Sequence, residues 1–287
     1  MIANTSSLFL KVKDHSVSQE TFELHFSLDS DMLLTKPRPT DQDLGRYYES
    51  VNYISHTDGK RTIIEKMYQW VKSYSLKSKI TLINQLQKEK GSLLDIGAGT
   101  GDFLNAARQN GWEITGVEPN GKASDLAKQK SIKLFTSVDA LDKESFDIIT
   151  LWHVLEHIPD LEIQIKNLKK LLKPDGHLII AVPNFRSYDA TYYKEFWAAY
   201  DVPRHLWHFS KSAISRLFLT ENMLVEYVIP MKFDSFYVSM LSEKYKTGSN
   251  NYLKAALIGL KSNWNGRKSG EYSSHIYIIK NRKVALK

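Results

Sequence analysis

The sequence predicts an α/β fold, a parallel sheet with helices on both faces, preceded by a small β appendage. Three observations predict it. Strand and helix signals alternate from residue 92 to about 182, and strands joined by helical crossovers form parallel sheets covered on both faces. An apolar strand, SLLDI, runs directly into Gly97, Gly99 and Gly101 and then into a helix with Phe103, Leu104 and Ala107. Ahead of this, residues 8–35 alternate with the period of two that marks strands.

In chain order, Leu8, Leu10 and Val12 form one strand and Phe22, Leu24 and Phe26 a second, with a polar turn at residues 14–18. Residues 32–35 add a third before Pro37 and Pro39 break the pattern. Residues 1–40 are thus a small appendage, too short to stand alone, that must pack on the rest of the chain. Residues 41–90 read as a helical lid or linker. Its amphipathic helix carries Ile63, Ile64, Met67, Trp70, Val71 and Tyr74 at helical spacing. The main domain spans residues 91–287, with a helix at 211–220, a strand at 224–229, an aromatic, polar insert at about 231–270, and a last strand at 274–279.

The chain has 287 residues, 42% hydrophobic and 25% charged, enough for a full core. No apolar run is long enough to span a bilayer, and the first residues lack the pattern of a signal peptide, so a cytoplasmic location is expected. There is no cysteine, which excludes disulfides, Cys-ligated zinc and covalent thiolate chemistry. Much of the net charge of +7 lies in residues 58–90, where Lys60, Arg61, Lys66, Lys72, Lys77, Lys79, Lys88 and Lys90 face only Asp58, Glu65 and Glu89. That stretch is either an RNA or anionic-lipid surface or a solvated helix face.

Glycines after the first apolar strand allow a sharp turn and a close ligand approach. Glu118 ends the next strand, EITGVEP, where a carboxylate can accept both hydroxyls of a ribose. The pattern also suits a dinucleotide. However, the glycines run G-x-G-x-G, and Asp95 precedes them. A carboxylate there repels a pyrophosphate and attracts a cation.

DIGAGTG (95–101), GVEPN (116–120), FDIITLWHVLEHIPD (146–160) and LLKPDGHLIIAVPN (171–184) resemble, in order, four motifs of the class I S-adenosylmethionine (SAM) dependent methyltransferases. The likeness is to the type 23 and ubiquinone-type O-methyltransferase group. It implies a Rossmann-like, mostly parallel sheet of seven strands, the last antiparallel, with SAM across its C-terminal edge. By motif position Gly97, Gly99 and Gly101 approach the methionine moiety and Asp95 holds its ammonium. Glu118 binds the ribose and Pro119 packs near the adenine, while Trp152 and His153 line the methionine end. In such relatives the segment before the sheet folds over SAM, which makes Tyr47 and Tyr53 cofactor contacts, beside Tyr48 and His56.

His153, Glu156 and His157 spell H-x-x-E-H, an inverted zinc-protease signature whose context here is wrong for a protease. Some ubiquinone-type enzymes carry E-x-x-E-H in this loop, thought to bind a divalent metal. His153 replaces the first Glu, and imidazole suits magnesium poorly, so no metal is assigned. Methyl transfer relies on proximity and alignment, and a base is needed only for acceptors such as hydroxyls. The candidate bases are His153, His157 and His205. His205 lies in DVPRHLWHF (201–209), which is either a substrate-facing loop or a buried network with Arg204 paired to Asp201. The leading expectation is O-methylation of a small molecule or glycan precursor. A tRNA or rRNA methyltransferase and a non-catalytic SAM-binding protein are the alternatives.

Overall fold

The computed structural model describes residues 6–48, 63–141 and 145–282, without the side chains of residues 41–42 and 63–70. Strands β1 (Ser6–Lys13), β2 (Thr21–Ser27) and β3 (Met32–Lys36) form an antiparallel meander. A one-turn helix, Asp41–Leu44, is capped by the Thr40 side chain. Helix α1 (Ile63–Leu86) leads to β4 (Ser92–Ile96), α2 (Asp102–Gln109), β5 (Glu113–Val117) and α3 (Gly121–Gln129). Next come β6 (Phe146–Trp152), α4 (Leu161–Leu171), β7 (Leu172–Pro183), α5 (Tyr188–Tyr193) and β8 (Trp207–His208). The chain ends with α6 (Lys211–Leu219), β9 (Met223–Pro230), α7 (Asp234–Thr247), α8 (Tyr252–Ser269) and β10 (Ser274–Asn281).

The main sheet has the order β5-β4-β6-β7-β10-β9. β5, β4, β6 and β7 are parallel, and β10 lies antiparallel between β7 and β9. The sequence implied seven strands, and the described residues form six. Where the seventh would lie, the chain makes one parallel bridge, Val117 to Phe135, supported by the Phe135 amide on the Gly116 carbonyl and the Glu118 amide on the Phe135 carbonyl. Leu93, Leu94, Ile148, Ile149, Ile179, Ile180 and Ile278 are fully buried at the sheet centre, as strands covered on both faces require.

The appendage does not stand apart. β8 pairs with β3 and completes its sheet, so the loop after β7 supplies the fourth strand. The insert at 231–270 is also more regular than its composition suggested. It is a hairpin of two helices, α7 and α8.

Candidate functional site

The site lies at the C-terminal edge of the parallel strands, where α/β sheets hold ligands. Gly97, Gly99 and Gly101 all have positive φ, at 70°, 53° and 74°, a region that disfavours side chains. Their amides are already used. Gly97 donates to the Val117 carbonyl at 2.8 Å and Gly101 to the Ala98 carbonyl at 3.0 Å. Gly99 donates to Glu118 Oε2 at 2.8 Å. The loop therefore offers no glycine amide to a phosphate. It offers room, since a Cβ on Gly99 would meet nothing within 4 Å.

Asp95 is buried beneath this loop, with Thr150 Oγ1 donating to its Oδ1 at 2.6 Å. Burial pushes its carboxyl up to about 7, against the Thr150 hydrogen bond and the attraction of Lys79. Lys79, one of the cations that the sequence assigned either to a ligand surface or to a solvated helix face, turns inward. Its Nζ lies 4.3 Å over the Trp152 ring. Burial lowers its pKa, while Asp95 and Asp234 attract its charge. Leu76, Ile80 and Ile83 pack into the core on the same helix, so spacing of three and four places Lys79 on the inner face. Trp152 meets Phe103 edge-to-face, and its indole N–H is buried without an acceptor among the described residues. Glu118 also accepts from the Asn120 amide at 2.8 Å, and Pro119 is exposed beside it.

His153 comes directly after β6 at φ 58°. Its Nε2 lies 3.2 Å from Asp234 Oδ2 and its Nδ1 3.4 Å from Glu156 Oε1. Burial opposes its charge, yet the two carboxylates prevail and raise its pKa to about 10. A histidine held protonated is an ion-pair partner, not a base at neutral pH. Asp234 stands in the first turn of α7, far along the chain, and no sequence pattern tied it to His153.

His157 differs. Its Nδ1 lies 3.1 Å from both the Arg204 carbonyl and the Tyr48 hydroxyl. Burial and the neighbouring His205 bring its pKa down to about 4. A carbonyl partner requires the proton on Nδ1, leaving the Nε2 lone pair available. His205 is oriented alike, with Nδ1 2.9 Å from the Ala199 carbonyl. Its Nε2 stands 4.0 Å from Glu156 Oε1, and the two imidazoles meet edge-to-face at 4.6 Å. Both Glu156 oxygens are buried without a hydrogen bond among the described residues. One ligand atom each from Glu156, His157 and His205 lies within 4.8 Å of the others. The sequence assigned no metal, but folding adds a second imidazole to the Glu156–His157 pair.

A profile of the methyltransferase domain family matches residues 68–223, more than half the chain and all four parallel strands of this edge. The chain belongs to the methyltransferase domain family. Among curated methyltransferases, the ubiquinone biosynthesis O-methyltransferase of Haemophilus ducreyi is 33% identical over 106 residues, 32% of this chain and 45% of that protein. The one from Coxiella burnetii is 33% identical over 107 residues, 33% of this chain and 46% of that protein. The match thus spans about half the length of these relatives. The solved plantazolicin methyltransferase, in complex with S-adenosylhomocysteine, superposes with a TM-score of 0.52 over 83% of this chain and 94% of its own, at 15% identity. An O-methyltransferase from a polyketide multienzyme of Brevibacillus brevis does so with a TM-score of 0.51 over 75% of each chain, at 14% identity. These two show that this methyltransferase-family chain has the class I fold.

The remaining expected residues are placed otherwise. Tyr47 is buried against Phe22. Its hydroxyl donates to Glu20 Oε2 at 2.6 Å, so it faces the appendage and not the glycine loop. Tyr53 and His56 lie outside the described residues. Arg204 anchors a buried network rather than a substrate. It pairs with Asp201 at 2.7 Å and Asp14 at 3.0 Å and donates to the Tyr47 carbonyl at 2.9 Å.

Proposed function

We propose that the protein transfers a methyl group from SAM to a hydroxyl of a small-molecule acceptor. The observation that carries this reading is the buried Asp95 under an open glycine loop, with Glu118 at its rim. Burial works against ionising Asp95, and the ammonium and sulfonium of SAM supply the positive charge that favours it. Glu118 receives the ribose hydroxyls, and the buried indole N–H of Trp152 suits the methionine carboxylate. Pro119 borders the adenine.

The acceptor hydroxyl attacks the methyl carbon in line with the S–CH₃ bond. The C–O bond forms as the C–S bond breaks, and S-adenosylhomocysteine leaves neutral. His157, neutral at physiological pH with a free Nε2, takes the hydroxyl proton. His153, held charged between Asp234 and Glu156, positions the post-β6 loop. If Glu156, His157 and His205 held a divalent ion, their two imidazole donors would suit a borderline metal better than magnesium, and His157 Nε2 would then be a ligand and not the base. Such an ion would supply Lewis acidity that favours ionisation of a bound hydroxyl.

An RNA substrate is less well supported. Of the basic stretch, Lys72 is paired with Asp102 at 2.9 Å, Lys79 turns inward, and Lys90 lies over Trp112 and donates to Asn84. The test is calorimetric titration with SAM, S-adenosylhomocysteine and NADH, with Glu118→Ala alongside, and then transfer of labelled methyl to a panel of phenols and sugars. Saturable binding of the adenosyl ligands, weakened in the variant, is expected. Binding of NADH alone would overturn the cofactor assignment.

A further inference from the structure

Helix α8 is built inside out. Its buried positions are Ala255, Ile258, Gly259, Ser262 and Gly266. Small residues let it sit close to its neighbours: a Cβ on Gly259 would lie 2.7 Å from Phe236 Cδ1, and one on Gly266 2.8 Å from the Tyr272 ring. Apart from Ile258, its large apolar side chains point outward instead. Leu253 is 74% exposed, Leu257 50%, Leu260 57% and Trp264 63%. At about 100° per residue these four fall within an arc of about 60°. Single exposed leucines are ordinary, but a stripe along a whole helix marks a contact surface.

Charge selects the occupant. Every ionic residue of α8 is a cation: Lys254, Lys261, Arg267 and Lys268. Lys254 meets Glu243 at 3.2 Å. The other three are exposed beside the stripe, and Lys268 Nζ lies 5.5 Å over the Trp264 ring. Lys244 and Lys246, at the end of α7, are exposed as well. A second copy docked stripe to stripe would press these cations together, and an RNA backbone would leave the leucines in water. An anionic bilayer satisfies both halves. Leucines enter the acyl boundary, Trp264 and Tyr252 sit at headgroup depth, and the cations meet lipid phosphates.

We propose that α8 is an interfacial helix that docks the protein on an anionic lipid surface. Among the described residues no helix is long and apolar enough to cross a membrane, so the helix lies in the plane of the surface. The hairpin that docks also carries Asp234, the partner of His153. The docking surface lies beyond the matched residues 68–223 and does not depend on the acceptor's identity.

The test is co-sedimentation of the full chain with phosphatidylcholine vesicles, with and without added phosphatidylglycerol. The variants are Leu257→Gln/Leu260→Gln and Lys261→Glu/Lys268→Glu. All four side chains are exposed, so melting temperatures should be unchanged. Expected is binding to the anionic vesicles alone, weakened about tenfold or more in the leucine variant. In the charge variant, binding should weaken and lose much of its salt dependence. No binding at low salt, equal binding to neutral vesicles, or binding unchanged in both variants would overturn the proposal. So would a dimer in sedimentation velocity that the leucine variant abolishes, since a second copy would then cover the stripe.

Discussion

At the scale of single residues, Asp95 and His157 have opposite protonation problems. Burial keeps the Asp95 carboxyl up near 7, so a cationic ligand must bind its ionised form. SAM affinity should therefore rise with pH, by up to about tenfold per pH unit below 7, and level off above it. In the free protein the sign is reversed. A raised carboxyl pKa contributes stability that is full below the ordinary value of 3.8 and lost as pH rises through about 7. Calorimetry from about pH 5.5 to 8.5 checks the first effect, and Asp95→Asn should flatten the profile. His157 is neutral across that range because its pKa is lowered to about 4. His157→Gln should lower kcat toward hydroxyl acceptors by about 10²–10⁴-fold, the usual contribution of a general base, and leave SAM affinity within about twofold. The places of Asp95 in β4 and of His157 after β6 were legible in the sequence through their motifs. The ionisation of His153 was not, because it depends on Asp234, which only the packing of α7 brings near.

Among the elements, the glycine loop separates folding from binding. A Cβ on Gly97 would lie 2.4 Å from Val154 Cγ2, in addition to a φ of 70°, whereas one on Gly99 meets nothing. Gly97→Ala should cost about 3 kcal/mol or more in chemical denaturation, from left-handed strain plus the clash. Gly99→Ala should cost only about 1–2 kcal/mol from its backbone, yet weaken SAM, because the new methyl enters the open space above the loop. Equal effects of the two on SAM affinity at matched stability would contradict that division. Apart from β8, two residues paired with β3, the strands were legible because period-two alternation and continuous apolar runs report burial directly. The α7–α8 hairpin was not. Along α8 the inner face is made largely of Ala, Gly and Ser and the outer face of Leu and Trp, so its apolar pattern records an outward surface.

At the scale of the whole molecule, the appendage and the sheet domain are joined through one buried cation. Arg204 and Asp14 are each 1% exposed and ion-paired at 3.0 Å. Arg204 also holds Asp201 in the post-β7 loop, and β8 from that loop closes the appendage sheet. The sequence set out the Asp201–Arg204 pair as one of two readings, but a partner so far away in the chain left no periodic trace. Asp14→Ala removes one of the two counter-charges of the buried guanidinium and leaves it paired with Asp201 alone, a loss of about 1–3 kcal/mol. Because the two units share a sheet and a charge network, that loss should lower a single cooperative transition rather than release the appendage alone. Burial opposes ionisation of Asp14, yet Arg204 and the Ser18 amide and hydroxyl hold its pKa well below the ordinary carboxylate value. Its contribution is thus full above the ordinary value of 3.8 and fades as pH falls below it. Wild type and Asp14→Ala should differ most in melting temperature at neutral pH and converge in strong acid. A separate low-temperature transition in the variant, monitored by tryptophan fluorescence and circular dichroism together, would show that the appendage folds as its own unit and that Arg204 merely sits between two domains.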